Sequence, residues 1–242
     1  TLINHYRWAT AEFIGLLEGD DYFIDADKLQ IQVDHLRANP ELSFCSTNAY
    51  NEYEGNRRVD YVRGWLGGAF PQGTLTQSDI VAKNFVPTAG VVYRLDRFKE
   101  IPAPFHTVAA LDWILYIALT DHGGFQLLDR FSAVRRVHAG GVISMKDLLV
   151  KIDRSLHQLT EVDGMTSGRY RTTTDQRRIE LCRMAIQHAV DTKEPERGSP
   201  YLALLKESRS LRAGTTLRER FRAELLVNYP KFARLIHSWK GG

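Results

Sequence analysis

The residues best suited to chemistry are carboxylates. Glu18, Asp20 and Asp21 stand together in Leu17-Glu18-Gly19-Asp20-Asp21, directly after the apolar run Glu12-Phe13-Ile14-Gly15-Leu16-Leu17. In open α/β sheets ligands sit beyond the carboxyl ends of strands, so an acid turn there makes a strongly negative site. Oxygen donors of this kind suit Mg2+ or Mn2+, which often bridge to substrate phosphates. Gly19 lets the backbone turn sharply or approach a ligand closely. The same residues equally satisfy a plain β-turn, with Asp20 and Asp21 hydrogen-bonding local amides. A further acid, Asp112, opens the apolar segment Leu111-Asp112-Trp113, where the helix dipole alone favours a carboxylate. Arg135 and Arg136 are cations able to pair with phosphate. Consecutive strand residues face opposite ways, so at most one of them points inward.

These groups must be held by regular elements. The run over 12–17 reads as a strand buried on both faces, as in parallel sheets. Asp25 reads as a helix N-cap, with Leu29, Val33 and Leu36 on one helical face and Asn39-Pro40 as the stop. A second strand is expected over 42–50, a hairpin turn at Gly55-Asn56, a loop over 64–73, a short helix over 78–83 and a strand over 90–94. Pro102-Ala103-Pro104 marks a loop before an apolar helix over 108–120, which Gly123-Gly124 ends. Short strands over 125–128 and 131–137, closed by Gly140-Gly141, complete this part. Helical patterns follow at 145–162, 172–191, 199–212 and 215–238. The order predicts an α/β domain over 1–144, a mixed sheet with flanking helices, and an α-helical region over 145–242.

Composition sets the class. Of 242 residues, 43% are hydrophobic and 25% charged, which excludes a mostly disordered chain, a collagen and a small disulfide scaffold. No apolar run reaches the ~18 residues that span a bilayer, and no signal peptide is visible. The chain opens at Thr1 and soon enters an apolar strand, which reads as a fragment. Residues 1–144 carry 13 Lys and Arg against 17 Asp and Glu, whereas 145–242 carry 19 against 12. The basic end, with Arg218, Arg220, Arg222, Lys231, Arg234 and Lys240, reads either as solvated helix faces or as a surface resting on anionic lipid. Apolar stripes such as Leu148, Ile152, Leu156 and Leu159, and Phe221, Leu225, Tyr229 and Phe232, read as core. Cys45 and Cys182 have no metal-binding spacing and suit a reducing cytosol, Cys45 as a buried thiol. The expected location is cytoplasmic, with peripheral contact at the inner face of the plasma membrane.

Four motifs in order resemble a known family. Residues 6–36, including the segment from Ala11 to Phe23 and then Asp27-Lys28-Leu29-Gln30-Ile31-Gln32-Val33, resemble the middle of a family 2 glycosyltransferase with the GT-A fold. There a strand ends in an acidic D/E-x-D-D turn, followed by an aromatic pair and a helix. Asn84-Phe85-Val86-Pro87-Thr88, leading into Val91-Val92-Tyr93-Arg94, is similar to the family's loop and strand behind the acceptor site. Leu111-Asp112-Trp113 is similar to its acidic helix start, and the segment from Val134 to Gly141 resembles its closing Y-R-x-H-x-x-G. The resemblance covers about residues 4–144.

The resemblance implies a partial GT-A, Rossmann-like mixed sheet without the family's N-terminal nucleotide-binding half. It implies an inverting, metal-dependent transfer from a nucleotide-diphosphate sugar, expected to be a UDP-sugar, to a hydroxyl of a saccharide or lipid-linked acceptor, as in cell-surface polysaccharide synthesis. Glu18 would lie near the donor ribose or the water shell of the metal, Asp20 would bridge to Mg2+ or Mn2+, and Asp21 would support that site. Arg136 would contact the donor, and His138 would be a further metal ligand or touch the diphosphate, although a lone histidine after a strand is also an ordinary surface residue. Asp112 would be the general base. Asn84, Thr88 and Trp113 would line the acceptor site, Trp113 stacking on a sugar or lying in the core. Glu18 stands where Asp is common, and Leu111 where a small residue or an acid is frequent. Without the missing half this segment alone is expected to bind nucleotide sugar weakly or not at all. Two other readings stay open: a non-catalytic transferase-like interaction module, and a metal-dependent phosphodiesterase or nuclease. The latter lacks the additional carboxylate or histidine clusters of a two-metal site, and no nucleic-acid partner is expected.

Overall fold

The computed structural model describes residues 8–98, 100–108, 111–138, 147–208, 211 and 214–228. The chain divides into two compact units, residues 1–145 and 146–242. In the first unit the elements are β1 (Phe13–Gly15), β2 (Tyr22–Phe23), α1 (Lys28–Ala38), β3 (Leu42–Tyr53), β4 (Arg57–Asp60), α2 (Tyr61–Trp65), α3 (Gln77–Ala82), β5 (Val91–Arg94), α4 (Leu111–Leu119) and β6 (Gly124–Arg136).

The six strands form one mixed sheet ordered β1-β5-β3-β6-β2, with β4 paired to β3. β3 and β6 run parallel and the other pairs antiparallel. Residues 42–49 of β3 are all buried, the pattern of a central strand covered on both faces. On one face Phe44 stacks on Phe125 at 4.5 Å and on Tyr116 of α4 at 5.4 Å. On the other, Cys45 packs with Leu36 of α1, Leu42 and Val92. The β3–β4 hairpin turns through Gly55 (φ 77°) and Asn56 (φ 60°), left-handed positions that these two residue types adopt at least cost.

The structure departs from the sequence reading at several places. The apolar run over 12–17 does not form a strand inside a parallel sheet. β1 is three residues long, partly exposed, and lies at the sheet edge antiparallel to β5. The helix expected to be capped by Asp25 follows Asp27 instead. Asp25 is engaged elsewhere, accepting from the Asp27 N–H (3.1 Å) and from the Arg130 guanidinium. Helix α1 buries Lys28, Gln32 and Leu36, while Leu29 is 48% exposed. Positions 28, 32 and 36 share one face, and Gln32 satisfies two carbonyls there, those of Gly90 (2.8 Å) and Cys45 (3.2 Å). The two short strands expected over 125–137 are one long strand, β6, with register shifts between Thr47 and Ala49 of its partner. Gly140-Gly141 lies outside the described residues.

The second unit contains α5 (Leu148–Met165), α6 (Arg171–Asp191), α7 (Ser199–Glu207) and α8 (Leu217–Asn228). Asp147 caps α5, accepting from the Leu149 N–H at 3.0 Å. Leu149, Ile152, Leu159 and Val162 of α5 and Ile179, Cys182 and Ile186 of α6 are buried. A buried ionic group joins the same helices: Asp163 accepts from Thr174 (2.7 Å) and Arg178 (2.6 Å), and Arg178 also donates to Asp175 (2.9 Å). It lies beside an open cleft of 490 Å³. Arg218 is exposed, whereas residues 229–242, and so Tyr229, Lys231, Phe232, Arg234 and Lys240, lie outside the described residues, as do the side chains of Phe221, Arg222 and Leu225. Among the described residues no helix is long and apolar enough to cross a membrane.

Candidate functional site

β1 and β2 sit at opposite edges of the sheet, so the segment joining them crosses the sheet's end. It finishes in a turn closed by the Asp21 N–H on the Glu18 carbonyl (3.0 Å). The end of β6 holds this turn. The Arg136 N–H donates to Asp21 Oδ1 (3.1 Å), its guanidinium donates to the Asp20 carbonyl, and His138 Nε2 lies 3.2 Å from Asp20 Oδ2. The acid turn and the 136–138 segment are therefore one structure. Asp21 is 8% exposed, and its Oδ2 has no partner among the described residues. Buried polar atoms are nearly always paired, so this orphan oxygen marks a place where a cation or donor is due.

Asp112 lies in the first turn of α4, where its Oδ2 accepts from Asn84 Nδ2 at 3.0 Å. Asn84 Oδ1 is buried without a partner among the described residues. Trp113 donates its indole N–H to the Ile80 carbonyl (2.7 Å), which docks α4 on α3. That bond favours the anchoring role for Trp113 over a sugar platform. Tyr116 is one turn along α4, its hydroxyl beside Thr88. On the other side, Asp60 caps α2 by accepting from the Arg63 N–H (2.9 Å) and is itself held by Asn48 (3.0 Å). The capped helix presents Tyr61 to the interior and leaves Trp65 45% exposed.

The carboxylates of these segments lie near enough to act on one another's charge. The Glu18 carboxyl, open to solvent on one side but walled by protein, is pushed up to about 7, by burial first and then by the charges of Asp21 and Asp112. Burial raises Asp112 as well, with the helix N–H groups, Asn84 and Arg135 opposing. Asp21 is raised by burial against the Arg136 N–H, whereas the hydrogen bond to His138 lowers Asp20. Tyr61 and Tyr116 are held protonated by burial and then by the nearby Asp112 charge.

One cation recurs as the counterweight to Glu18, Asp21 and Asp112, and it is Arg135. It is half-buried, donates to Asn51 of β3 at 3.2 Å, and is the inward-facing member of the arginine pair. Arg136, expected from the sequence to contact the donor, is exposed, and its guanidinium donates to the Asp20 carbonyl of the acid turn. Strand alternation allowed only one inward arginine, but a register with bulges decides which one. Tyr61, Tyr116 and Trp65 carry no distinguishing signal, because core aromatics and site aromatics look alike in sequence.

Asp20 Oδ2 and His138 Nε2, 3.2 Å apart, are within hydrogen-bond distance of each other, and both are of the types that ligate divalent cations. Among the described residues no three His, Cys, Asp or Glu side chains converge on one point. Water and substrate oxygens would fill the other positions, as is usual for Mg2+.

No family model matches the chain. An uncharacterized protein of Mycobacterium bovis and uncharacterized proteins of two Mycobacterium tuberculosis strains are each 34% identical to it over 139 residues. The match covers 55% of this chain and 37% of each relative. The chain is thus similar to a stretch amounting to little more than a third of these mycobacterial proteins.

Proposed function

We propose that the first unit is the metal and acceptor side of an inverting glycosyltransferase of the GT-A type, moving a sugar from a nucleotide-diphosphate donor to a hydroxyl acceptor. What supports the reading is that the acid turn, Asp112 and Arg135, from three distant segments, lie near enough to act on one another's charge. Asp20 and His138 would hold Mg2+ or Mn2+. The ion, when bound, supplies positive charge against the negative charge gathering on the departing diphosphate. Arg136 and Asp21 keep the acid turn in place. Arg135 offsets part of the mutual repulsion of Glu18, Asp21 and Asp112.

Asp112 takes the proton of the acceptor hydroxyl. Burial makes it a stronger base than an exposed aspartate, and Asn84 and the first turn of α4 fix its direction. The acceptor oxygen then bonds to the anomeric carbon as the bond from that carbon to the diphosphate oxygen breaks, with inversion. The test is nucleotide release by the full-length protein from UDP-, GDP- and dTDP-sugars with Mn2+ or Mg2+. Release that needs the ion and falls with Asp20→Asn supports the reading. No release from any of these donors, with either ion and with saccharide acceptors present, rejects it.

A further inference from the structure

The cleft of the second unit has no part in the chemistry above. Asp163, Gly164 and Ser167 line it from the end of α5 and the turn after it, Arg171, Asp175 and Arg178 from α6, and Leu204 and Leu211 from α7 and the chain beyond. Positions 171, 175 and 178 follow helical spacing and form one stripe. A stripe that packs toward a neighbouring helix is normally apolar. Here Asp163, Asp175 and Arg178 are 6%, 8% and 8% exposed. Burying such ions costs solvation that their attraction seldom repays, and apolar residues of similar size hold helices at least as well. Stability alone therefore gives no reason for charge at this place. The backbone adds a second observation. Gly164 lies in the last turn of α5 without a left-handed φ, so no turn demands glycine there. A Cβ at this position would meet nothing within 4 Å. Glycine weakens a helix, and no neighbour in the chain needs this one bare, whereas a bare backbone lets a ligand approach closely. Ser167, on the same lining, holds a left-handed φ of 49°, which is strained for a serine.

The hydrogen bonds within the lining select the sign of the occupant. Asp163 already accepts from Thr174 (2.7 Å), Arg178 (2.6 Å) and Arg171 (3.0 Å), which fills most of its capacity. Arg178 is spent on Thr174, Asp175 and Asp163. Arg171 differs: its side chain is 59% exposed, and the bond to Asp163 uses one end of a fork of several N–H donors. What the cleft has left to offer is a guanidinium at its mouth, with the Ser167 hydroxyl on the same lining. A planar oxyanion matches that fork. A cationic occupant would meet Arg171 first and find Asp163 satisfied. The volume, 490 Å³, falls within the about 300–1,000 Å³ of small-molecule sites and is too large for a bare ion. Leu204 and Leu211 give one wall an apolar surface for an organic body. We propose that this cleft binds a small organic anion, a carboxylate or a phosphate monoester, with its oxyanion on Arg171 and its apolar part against Leu204 and Leu211. The proposal is independent of the transferase reading.

The experiment uses the full-length protein and its Arg171→Ala and Gly164→Leu variants. The probes are benzoate, phenyl phosphate, inorganic phosphate and, as a cation of similar size, benzylamine. Binding is read by saturation-transfer NMR and by the rise in urea midpoint with probe concentration. Wild type should bind benzoate or phenyl phosphate and not benzylamine, and the order of the two anions assigns the headgroup. Arg171→Ala should weaken that binding about tenfold or more, the loss of a charge-assisted hydrogen bond. Its unfolding midpoint without probe should stay near that of wild type, because Asp163 keeps Thr174 and Arg178. Gly164→Leu fills the space over the bare backbone and should also weaken binding, with no loss of stability. Binding of neither anion, or of benzylamine in their place, would overturn the proposal. So would anion binding that both variants leave unchanged, which would put the ligand elsewhere. Inorganic phosphate bound as tightly as phenyl phosphate would overturn the organic body and its apolar wall.

Discussion

Replacing Lys28 by Met probes how α1 is held beneath the site. Lys28 is 1% exposed, donates to Gln32 Oε1 at 2.7 Å, and lies 4.6 Å from the Phe23 ring. Gln32 in turn donates to the carbonyl of Gly90, which ends the turn carrying Thr88. Burial drives the amine down from 10.5 to about 8, against the pull of Cys45 and Asp25. A base whose folded pKa lies below its unfolded value carries a penalty that is full below the folded pKa and vanishes above the unfolded one. Between about pH 8 and 10.5 the unfolded chain binds more protons, so this group's contribution becomes more favourable as pH rises. The drop corresponds to about 3 kcal/mol at ~1.4 kcal/mol per pH unit. Lys28→Met removes this penalty but leaves Gln32 Oε1 without its donor, at about 1–3 kcal/mol, and loses the contact with Phe23, at about 1 kcal/mol. The variant should therefore differ little in stability near neutral pH. Urea unfolding of both proteins from pH 7.5 to 10.5 separates the effects, because other titrating groups are shared and largely cancel. The wild type should gain about 3 kcal/mol on the variant across that range. A difference that is flat, or that shrinks with pH, would refute a buried ammonium at this position.

Three other outcomes follow from the same structure. Gly90→Ala would place a Cβ 2.4 Å from the Thr47 carbonyl oxygen and 2.5 Å from Ser46 Oγ; it should destabilise the protein by about 1–3 kcal/mol in urea unfolding. In the second unit, Asp163→Ala strips Arg178 of one of its two carboxylates and should cost about 3–5 kcal/mol, whereas the pair Asp163→Leu with Arg178→Met should cost far less in the same assay. If Asp112 is the base, transfer should fall as pH drops through a pKa above the ordinary 3.8. The Asn84 hydrogen bond favours the carboxylate, so Asn84→Ala should move that acid limb to higher pH; an unchanged or lowered limb would count against the assignment.

What the sequence made legible was local. The acid turn, the Asn84 loop, the Asp112 helix start and the 134–138 segment could each be placed on an element from their own residues. Their meeting at one sheet end could not, because it depends on β1 and β2 lying at opposite edges of a mixed sheet. The apolar run before Glu18 looks the same whether it becomes a central parallel strand or a three-residue antiparallel edge. Helix α1 misled for a related reason. The apolar positions Leu29, Val33 and Leu36 predict the buried face, whereas that face carries Lys28 and Gln32 beside Leu36, and Gln32 is satisfied inside only once Gly90 and Cys45 offer their carbonyls. Arg135 and Arg136 are indistinguishable until the bulged pairing of β6 with β3 turns one toward the carboxylates.

The most direct test of the account is donor turnover by Asp112→Asn in the full-length protein, measured with the nucleotide sugar that the wild type uses and a saturating divalent cation. Asparagine keeps the shape and can still meet Asn84, but it cannot accept the acceptor's proton. Transfer should fall by about 10²–10⁴-fold, the usual contribution of a general base, with donor affinity unchanged and the unfolding midpoint no lower than that of the wild type. Transfer within a few-fold of wild type would contradict the assignment of Asp112 and, with it, the mechanism built on this cluster.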